Sequence, residues 1–161
     1  GEGAANSWAM DPALARALLG ASAPADVHRA VAAELDAWRR HPKLATAALN
    51  DLARERRSVL AVHLLRCLQE HKVETDVVHH NAAINACARA GRWQLALCIL
   101  SSMGPASVPP DAISCNSAIS ACEKGGRWQW ALSLLGAMSR CRIAPDVISC
   151  NAAISACEKG C

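Results

Sequence analysis

The chain has 161 residues, of which 52% are apolar, yet it contains five Trp and neither Phe nor Tyr. Its net charge of +3 is no evidence by itself for nucleic-acid binding, and no apolar run approaches the roughly eighteen residues of a membrane span. Ala and Leu are abundant and few segments alternate polar and apolar residues, so the composition predicts an all-α fold.

The N-terminal part of the chain does not follow the pattern of the rest. Residues 1–11 are predicted to be a disordered tail. Residues 12–41 are predicted to form two short helices, one that ends at Gly20 and one that follows an apolar pattern from Val27 to Trp38. This segment is interpreted as a degenerate helical hairpin or an N-terminal cap.

A 35-residue repeat organises the remainder. Segments that begin at His80, Cys115 and Cys150 align at that spacing, and ten of the eleven residues from Cys115 match those from Cys150. A fainter copy begins near Pro42. The predicted units are a degenerate repeat at 42–76, full repeats at 77–111 and 112–146, and a truncated repeat at 147–161.

Each full unit is predicted to be a pair of antiparallel helices. In 112–146, Asp111 can cap the first helix, Gly125 and Gly126 can end it, and a second apolar stripe begins at Trp128. Neither helix can bury its stripe alone, so neighbouring units are expected to stack.

Both ends of the chain look cut, since it begins at Gly1 and stops at Cys161 within a repeat motif. The unit at 147–161 is therefore expected to hold only its first helix and to fray from about Asn151. No targeting peptide is visible in these residues, and a chain cut at its N-terminus is expected to lack one.

The Cys, His and Trp residues do not form a recognisable catalytic or metal-binding motif. The nine Cys include no CxxC pair, and those at the repeat spacing lie on apolar helix faces, which favours buried free thiols over disulfides or metal binding. No catalytic motif is present, and neither enzyme activity, metal nor cofactor is predicted. His79 and His80 are interpreted as surface residues, and Trp93, Trp128 and Trp130 as core or inter-repeat packing residues.

The 35-residue period is combined with the runs Val-Ile-Ser-Cys-Asn, Ala-Ile-Ser-Ala-Cys-Glu-Lys-Gly and Ala-Leu-Ser-Leu-Leu, followed by Met and Pro-Asp, and only the second of these runs is repeated without a change. In this the chain resembles pentatricopeptide repeat proteins, clearly over 77–161 and weakly over 42–76. The tetratricopeptide family has a period of about 34 residues and a Tyr in its signature. The resemblance implies a right-handed α-solenoid of stacked antiparallel helix-turn-helix repeats, an α-α superhelix.

The resemblance also implies that the array binds single-stranded RNA, one base per repeat. In the family, a residue near the start of the first helix selects the base together with the last residue of the unit, and a non-polar residue three places earlier packs against it. The first selectors on this chain are Thr46, Asn81, Asn116 and Asn151. Their partners are Asp76, Asp111 and Asp146. The packing positions are Val78, Ile113 and Ile148, whereas Lys43 departs from the pattern. These pairs imply the tract 5′-GUUY-3′.

Two sets of residues also have simpler explanations. The Asp partners stand where a helix N-cap is wanted, so capping alone explains them too. Asn inside a helix is harder to explain, because Asn favours caps and turns. Basic residues follow each selector by eight positions and predict a row of phosphate contacts, although helix C-termini attract cations anyway. They are Arg54, Arg89, Lys124 and Lys159. A second recurring set, without an assigned contact, is Arg57, Arg92 and Arg127.

By this resemblance the predicted function is sequence-preferring RNA binding in organelle transcript processing, stability or translation, in a plastid (chloroplast) or mitochondrion. The alternatives are a protein-interaction scaffold of the tetratricopeptide type and a structural ribosome-associated member of the same family. The polar selectors and the row of cations favour RNA. No membrane partner is expected, and other protein subunits are a further partner class for a longer protein.

Overall fold

A computed structural model describes residues 10–104 and 108–160, and within these ranges the chain forms helices and turns without any strand. The all-α class is confirmed. The helices, in chain order, are α1 (Pro12–Leu19), α2 (Pro24–Val31), α3 (Leu35–Arg40), α4 (Pro42–Arg54), α5 (Ser58–Glu70), α6 (Val77–Arg89), α7 (Trp93–Met103), α8 (Ala112–Lys124), α9 (Trp128–Arg140) and α10 (Val147–Gly160).

The helices from α4 onward form a repeat solenoid. The first helices α4, α6, α8 and α10 pack against one another in succession, and α5, α7 and α9 each pack against the first helices on either side of them. The starts of α6, α8 and α10 fall one repeat period apart, at Val77, Ala112 and Val147. Because each helix buries its apolar stripe on a neighbour, the stacking predicted from the repeat is confirmed.

The turn between the two helices of a unit uses a left-handed residue at one recurring position. This residue is Arg56 in the first unit and Gly91 and Gly126 in the next two, with φ of 56°, 68° and 68°. Glycine adopts this conformation without steric cost, whereas a residue with a Cβ is strained there. At this turn the first unit therefore carries a backbone strain that the next two units avoid.

Tryptophans at the start of the second helices join successive units. The Trp93 ring lies so close to Gly125 that a Cβ on this glycine would collide with it, and Trp128 lies against Gly160 in the same way. Arg127 places its guanidinium 5.2 Å from the centre of the Trp93 ring, a cation–π contact. The predicted inter-repeat packing of these tryptophans is confirmed, and Arg127 gains a contact that the sequence did not reveal.

The N-terminal segment differs from the prediction in two ways. The expected second helix is broken into α2 and α3 by a turn at 32–34, although its apolar residues are buried as expected. The break is hidden in the sequence because the three-to-four-residue spacing continues across it. The tail prediction is wrong for Met10 and Asp11, since the Met10 amide donates to Asp51 (3.0 Å) and Asp11 caps α1. Residues 1–9 lie outside the described part.

The prediction that His79 and His80 lie on the surface is wrong. Both imidazoles are buried at the start of α6. His79 donates from Nε2 to the Pro42 carbonyl (3.0 Å), and His80 Nδ1 lies 2.8 Å from the Asp76 carbonyl oxygen. Because each ring finds polar partners inside the protein, burial does not leave its nitrogens unsatisfied.

The last helix is the first helix of the truncated unit. α10 runs without a break from Val147 to Gly160 and packs on α8 and α9, and the fraying expected from Asn151 stays a prediction. Free thiols are buried as predicted at Cys87, Cys115 and Cys122, whereas Cys150 is exposed and Cys157 is only half-buried. Cys115 is covered by residues of its own second helix, and the described part contains no such helix over Cys150.

Candidate functional site

The predicted selector pairs meet on the face of the array formed by the first helices. Asn81 lies near the start of α6, and Asp111 immediately precedes α8. The Asn81 Nδ2 donates to Asp111 Oδ1 at 3.1 Å, although the two residues are separated by a whole helical hairpin. One unit further on, Asn116 Nδ2 donates to the two Asp146 oxygens at 3.2 and 3.3 Å. Stacking thus joins each Asn to the Asp that precedes the next unit.

Two buried serines complete these pairs, and the sequence analysis missed both. Ser114 Oγ lies 2.5 Å from Asn81 Oδ1 and 2.9 Å from Asp111 Oδ1, so its single hydrogen serves one of these oxygens at a time. Ser149 repeats the arrangement with Asn116 at 2.5 Å. These serines could have been found from the sequence, because a serine three residues after a capping Asp can complete a reciprocal cap at a helix start.

The serine and the aspartate together orient the selector amide. An Asn side chain has two N–H donors and two acceptor positions on its oxygen. At Asn81, one donor is taken by Asp111 and one acceptor position by Ser114. One donor and one acceptor position are left over, and their directions are set by the network rather than by free rotation.

Exposed apolar side chains flank the pairs. Val78, Ile113 and Ile148 recur at the repeat spacing and are 51%, 61% and 64% exposed. A cleft of about 360 Å³ between the second and third units is lined by Val78 and Ile113 together with Asn81 and Asp111. Large aliphatic side chains normally lie inside a fold, so a regular exposed row of them beside polar pairs marks a contact surface.

The corresponding cleft in the first unit has a different lining. It encloses about 350 Å³ and is lined by Lys43, Thr46, Asp76 and Val78, so that a lysine replaces one of the two apolar residues. The Asp76 carboxylate lies 2.8 Å from His79 Nδ1, and this imidazole takes the place that a serine hydroxyl has in the later units.

The three aspartates are held in their charged form. Burial would raise the pKa of Asp111, but hydrogen bonds from the Ser114 amide and from the Asn81 and Ser114 side chains lower it below its ordinary value. The pKa of Asp146 is lowered, mainly by the amide and hydroxyl of Ser149. Burial opposes the lowering at Asp76, where the His79 side chain is the main cause of a lowered pKa.

The four predicted phosphate-binding cations are exposed at the C-terminal ends of the first helices. Two of them have carboxylate partners: Arg54 pairs with Asp51, and Lys159 contacts Glu123 of the preceding first helix at 2.7 Å. Within residues 10–104 and 108–160, Arg89 and Lys124 form no ion pair. The two central cations are therefore the ones available to an external anion.

The stacked helical hairpins, with an Asn–Asp pair that repeats between units, place the chain in the class of helical-repeat proteins. A family model described as pentatricopeptide repeat-containing protein matches residues 43–159. Because this match covers most of the chain, the chain belongs to the pentatricopeptide repeat family, whose members are generally non-enzymatic helical-repeat binders and generally bind RNA. A comparison with curated proteins finds no match. Among the described helices, none combines the length and the apolar character needed to cross a bilayer.

Proposed function

We propose that the chain binds single-stranded RNA along the first-helix face, one base per repeat. The observation that carries the proposal is the pair of oriented amides, Asn81 bonded to Asp111 and Asn116 bonded to Asp146. Each amide keeps one donor and one acceptor for a ligand, and the cleft at Asn81 has an aliphatic side chain on either side. A flat base with a polar edge suits such a cleft, since its faces are apolar and its Watson–Crick edge is free in a single strand.

We assign uracil to the two central units because the family's pairing rules give Asn with Asp a preference for U. The carbonyl oxygen and the adjacent N–H of the uracil edge can bond to the free donor and acceptor of Asn81 or Asn116. Thr46 with Asp76 corresponds to the family's preference for G, and Asn151 to a pyrimidine. The proposed tract is 5′-GUUY-3′, with the two central letters assigned to the oriented amides of Asn81 and Asn116.

The phosphate contribution is expected to be small. For a single strand, each neutralised phosphate contributes about −0.7 to the slope of the logarithm of the binding constant against the logarithm of the salt concentration. With Arg54 and Lys159 already paired to carboxylates, two to four contacts give a slope between about −1.4 and −2.8. Binding should therefore be weak and only moderately sensitive to salt.

The decisive experiment changes one selector. Asn116→Thr replaces the amide with a hydroxyl, and by the pairing rules it should move the preference at the third base from U to G. Fluorescence anisotropy on oligomers that contain GUUC or GUGC should show a relative change of about 5- to 150-fold, the equivalent of about 1–3 kcal/mol.

The second base provides the internal control for this experiment. Preference between GUUC and GGUC depends on Asn81 and should be the same in the wild type and in Asn116→Thr. An unchanged ratio between GUUC and GUGC would refute base reading by Asn116.

The proposed cellular role follows from the family. Because pentatricopeptide repeat proteins are typically organellar, we place the chain in plastid or mitochondrial transcript processing, stability or translation. A protein scaffold would use the same face, but a protein ligand does not account for polar pairs that recur in register between exposed aliphatic side chains.

A further inference from the structure

Three potential metal ligands meet where the N-terminal segment packs on the first repeat. His28 comes from α2, Cys67 lies near the end of α5, and His71 follows that helix directly. One ligand atom from each residue lies within 4.8 Å of the other two. The cluster lies between α2 and the second helix of the first unit, α5, whereas the selector pairs belong to the first-helix face.

The local geometry of α5 presents two of these ligands together. Cys67 and His71 are four residues apart, a spacing that puts both side chains on one face of a helical turn. The distance between Cys67 Sγ and His71 Nδ1 is 3.7 Å. Tetrahedral zinc with Zn–S near 2.3 Å and Zn–N near 2.05 Å separates these atoms by about 3.6 Å. His71 Nδ1 also donates to the Cys67 carbonyl oxygen at 3.0 Å, so binding an ion requires this hydrogen bond to break and the ring proton to move to Nε2, with little change in the Sγ–Nδ1 distance.

The third ligand comes from the neighbouring helix. The rings of His28 and His71 are 5.1 Å apart, and His28 Nε2 contacts Glu70 Oε2 at 3.2 Å. Arg39 donates two hydrogen bonds to the His71 carbonyl, at 3.2 and 3.0 Å, and fixes the backbone at this point. The three ligands therefore converge from two packed helices on a backbone that α3 holds in place.

We propose that His28, Cys67 and His71 bind one Zn²⁺ ion and that this ion ties α2 to α5. Mixed nitrogen and thiolate ligands in a tetrahedral arrangement favour zinc over the hard cations Mg²⁺ and Ca²⁺. On binding, the Cys67 thiol releases its proton to solvent, and the fourth position is left to water beside Glu70. Burial raises the pKa of the Cys67 thiol, so the free protein keeps it protonated and the ion must supply the driving force for deprotonation.

The test uses the whole chain, reduced and freed of metal, with Co²⁺ as a spectroscopic probe and Zn²⁺ as its competitor. One equivalent of Co²⁺ should produce a thiolate-to-cobalt charge-transfer band, which Zn²⁺ should abolish. Cys67→Ser should lose the band. His28→Gln should weaken Zn²⁺ binding by at least about tenfold, since even the loss of an outer partner of a metal ligand costs 10- to 100-fold.

Matched controls separate this site from the other thiols. His63→Gln changes a histidine of the same helix outside the cluster, and Cys98→Ser removes an exposed thiol, so both should leave affinity and spectrum unchanged. Zn²⁺ should also raise the midpoint of thermal unfolding of the wild type more than that of His28→Gln.

Two results would overturn the proposal: no thiolate band with the wild type, or a band and affinity unaffected by both Cys67→Ser and His28→Gln. Cys67 is fully buried, whereas His28 is partly exposed, so His28→Gln decides the question if Cys67→Ser does not fold. RNA binding is not a readout here, so the result is independent of the proposed function.

Discussion

Consecutive first helices are joined differently at the start of the array and further along it. Between α4 and α6, the buried His79 reaches back to the Pro42 carbonyl and contacts Asp76. Between α6 and α8, Ser114 reaches back to Asn81 instead, and Ser149 does the same between α8 and α10. Asp76, Asp111 and Asp146 each cap the helix that follows them. Only Asp111 and Asp146 also bond to the amide of a selector residue in the preceding first helix. We call each contact between consecutive first helices a joint.

This difference bears on the two explanations of the Asp residues. Capping and helix joining account fully for the contacts of Asp76. The amide bonds of Asp111 and Asp146 also link consecutive first helices, and in addition they orient polar side chains on an exposed face, which is the feature that the proposed base reading uses. The first unit also has Lys43 and Arg56 where the next unit has Val78 and Gly91, so it departs from the others in its cleft and in its turn as well as in its joint.

The largest expected effect on stability comes from His79, which was predicted to lie on the surface and is buried between α4 and α6. His79→Ala removes a buried side chain together with its hydrogen bonds to Pro42 and Asp76. Cavity formation and lost hydrogen bonds should lower the free energy of unfolding by about 3 kcal/mol. Urea denaturation followed by far-ultraviolet circular dichroism measures the loss.

Ser114→Ala is the matched control in the next joint. It removes one hydroxyl of smaller volume and should cost about 1 kcal/mol. Equal losses in the two variants would contradict the view that the first joint depends on a large buried side chain and the second on a hydrogen-bonded cap.

What the sequence predicted depended on the repeat. The helix starts at Val77, Ala112 and Val147 followed from the 35-residue spacing, whereas the pairing of Asn81 with Asp111 was implied by the resemblance to pentatricopeptide repeat proteins. The partners of His79 could not be predicted, because the general preference of histidine for partly exposed sites says nothing about a carbonyl from another helix. The cluster of His28, Cys67 and His71 was missed because His28 lies outside the repeat, so no spacing predicts that it packs beside the two residues of the first unit.

A smaller effect is expected at the turn between the two helices of a unit. Gly126 has φ of 68°, and a Cβ added there would meet no atom within 4 Å. Gly126→Ala should therefore show the conformational cost alone, about 1–2 kcal/mol. The same denaturation measurement should detect it.

The equivalent position of the first unit is Arg56, where the control is the reverse substitution, from a residue with a side chain to glycine. Arg56→Gly relieves a left-handed residue, but it also makes the unfolded chain more flexible, so it should stabilise by no more than about 0.5 kcal/mol. Destabilisation by Arg56→Gly as large as that by Gly126→Ala would mean that Arg56 makes contacts that outweigh its backbone strain.

The smallest effect is expected when the first unit is changed toward the later ones, on the proposal that the array reads bases. Thr46→Asn restores the selector amide, but Asp76 remains bonded to His79 and Lys43 still lines the cleft. The preference at the first base should move from G toward U by less than about 1 kcal/mol, below the usual range for one base. Anisotropy on GUUC and UUUC oligomers measures this change.

The double variant Thr46→Asn with His79→Ser decides what limits the first unit. It supplies the Asn–Asp–Ser arrangement of the later joints, so its preference for U should exceed that of Thr46→Asn alone, provided that circular dichroism shows it folded. If the single variant already shows the full preference, the serine hydroxyl does not orient the selector, and Lys43 does not weaken the cleft. If neither variant shifts but Asn116→Thr does, the first unit serves as a structural joint and the reading of bases begins at Asn81.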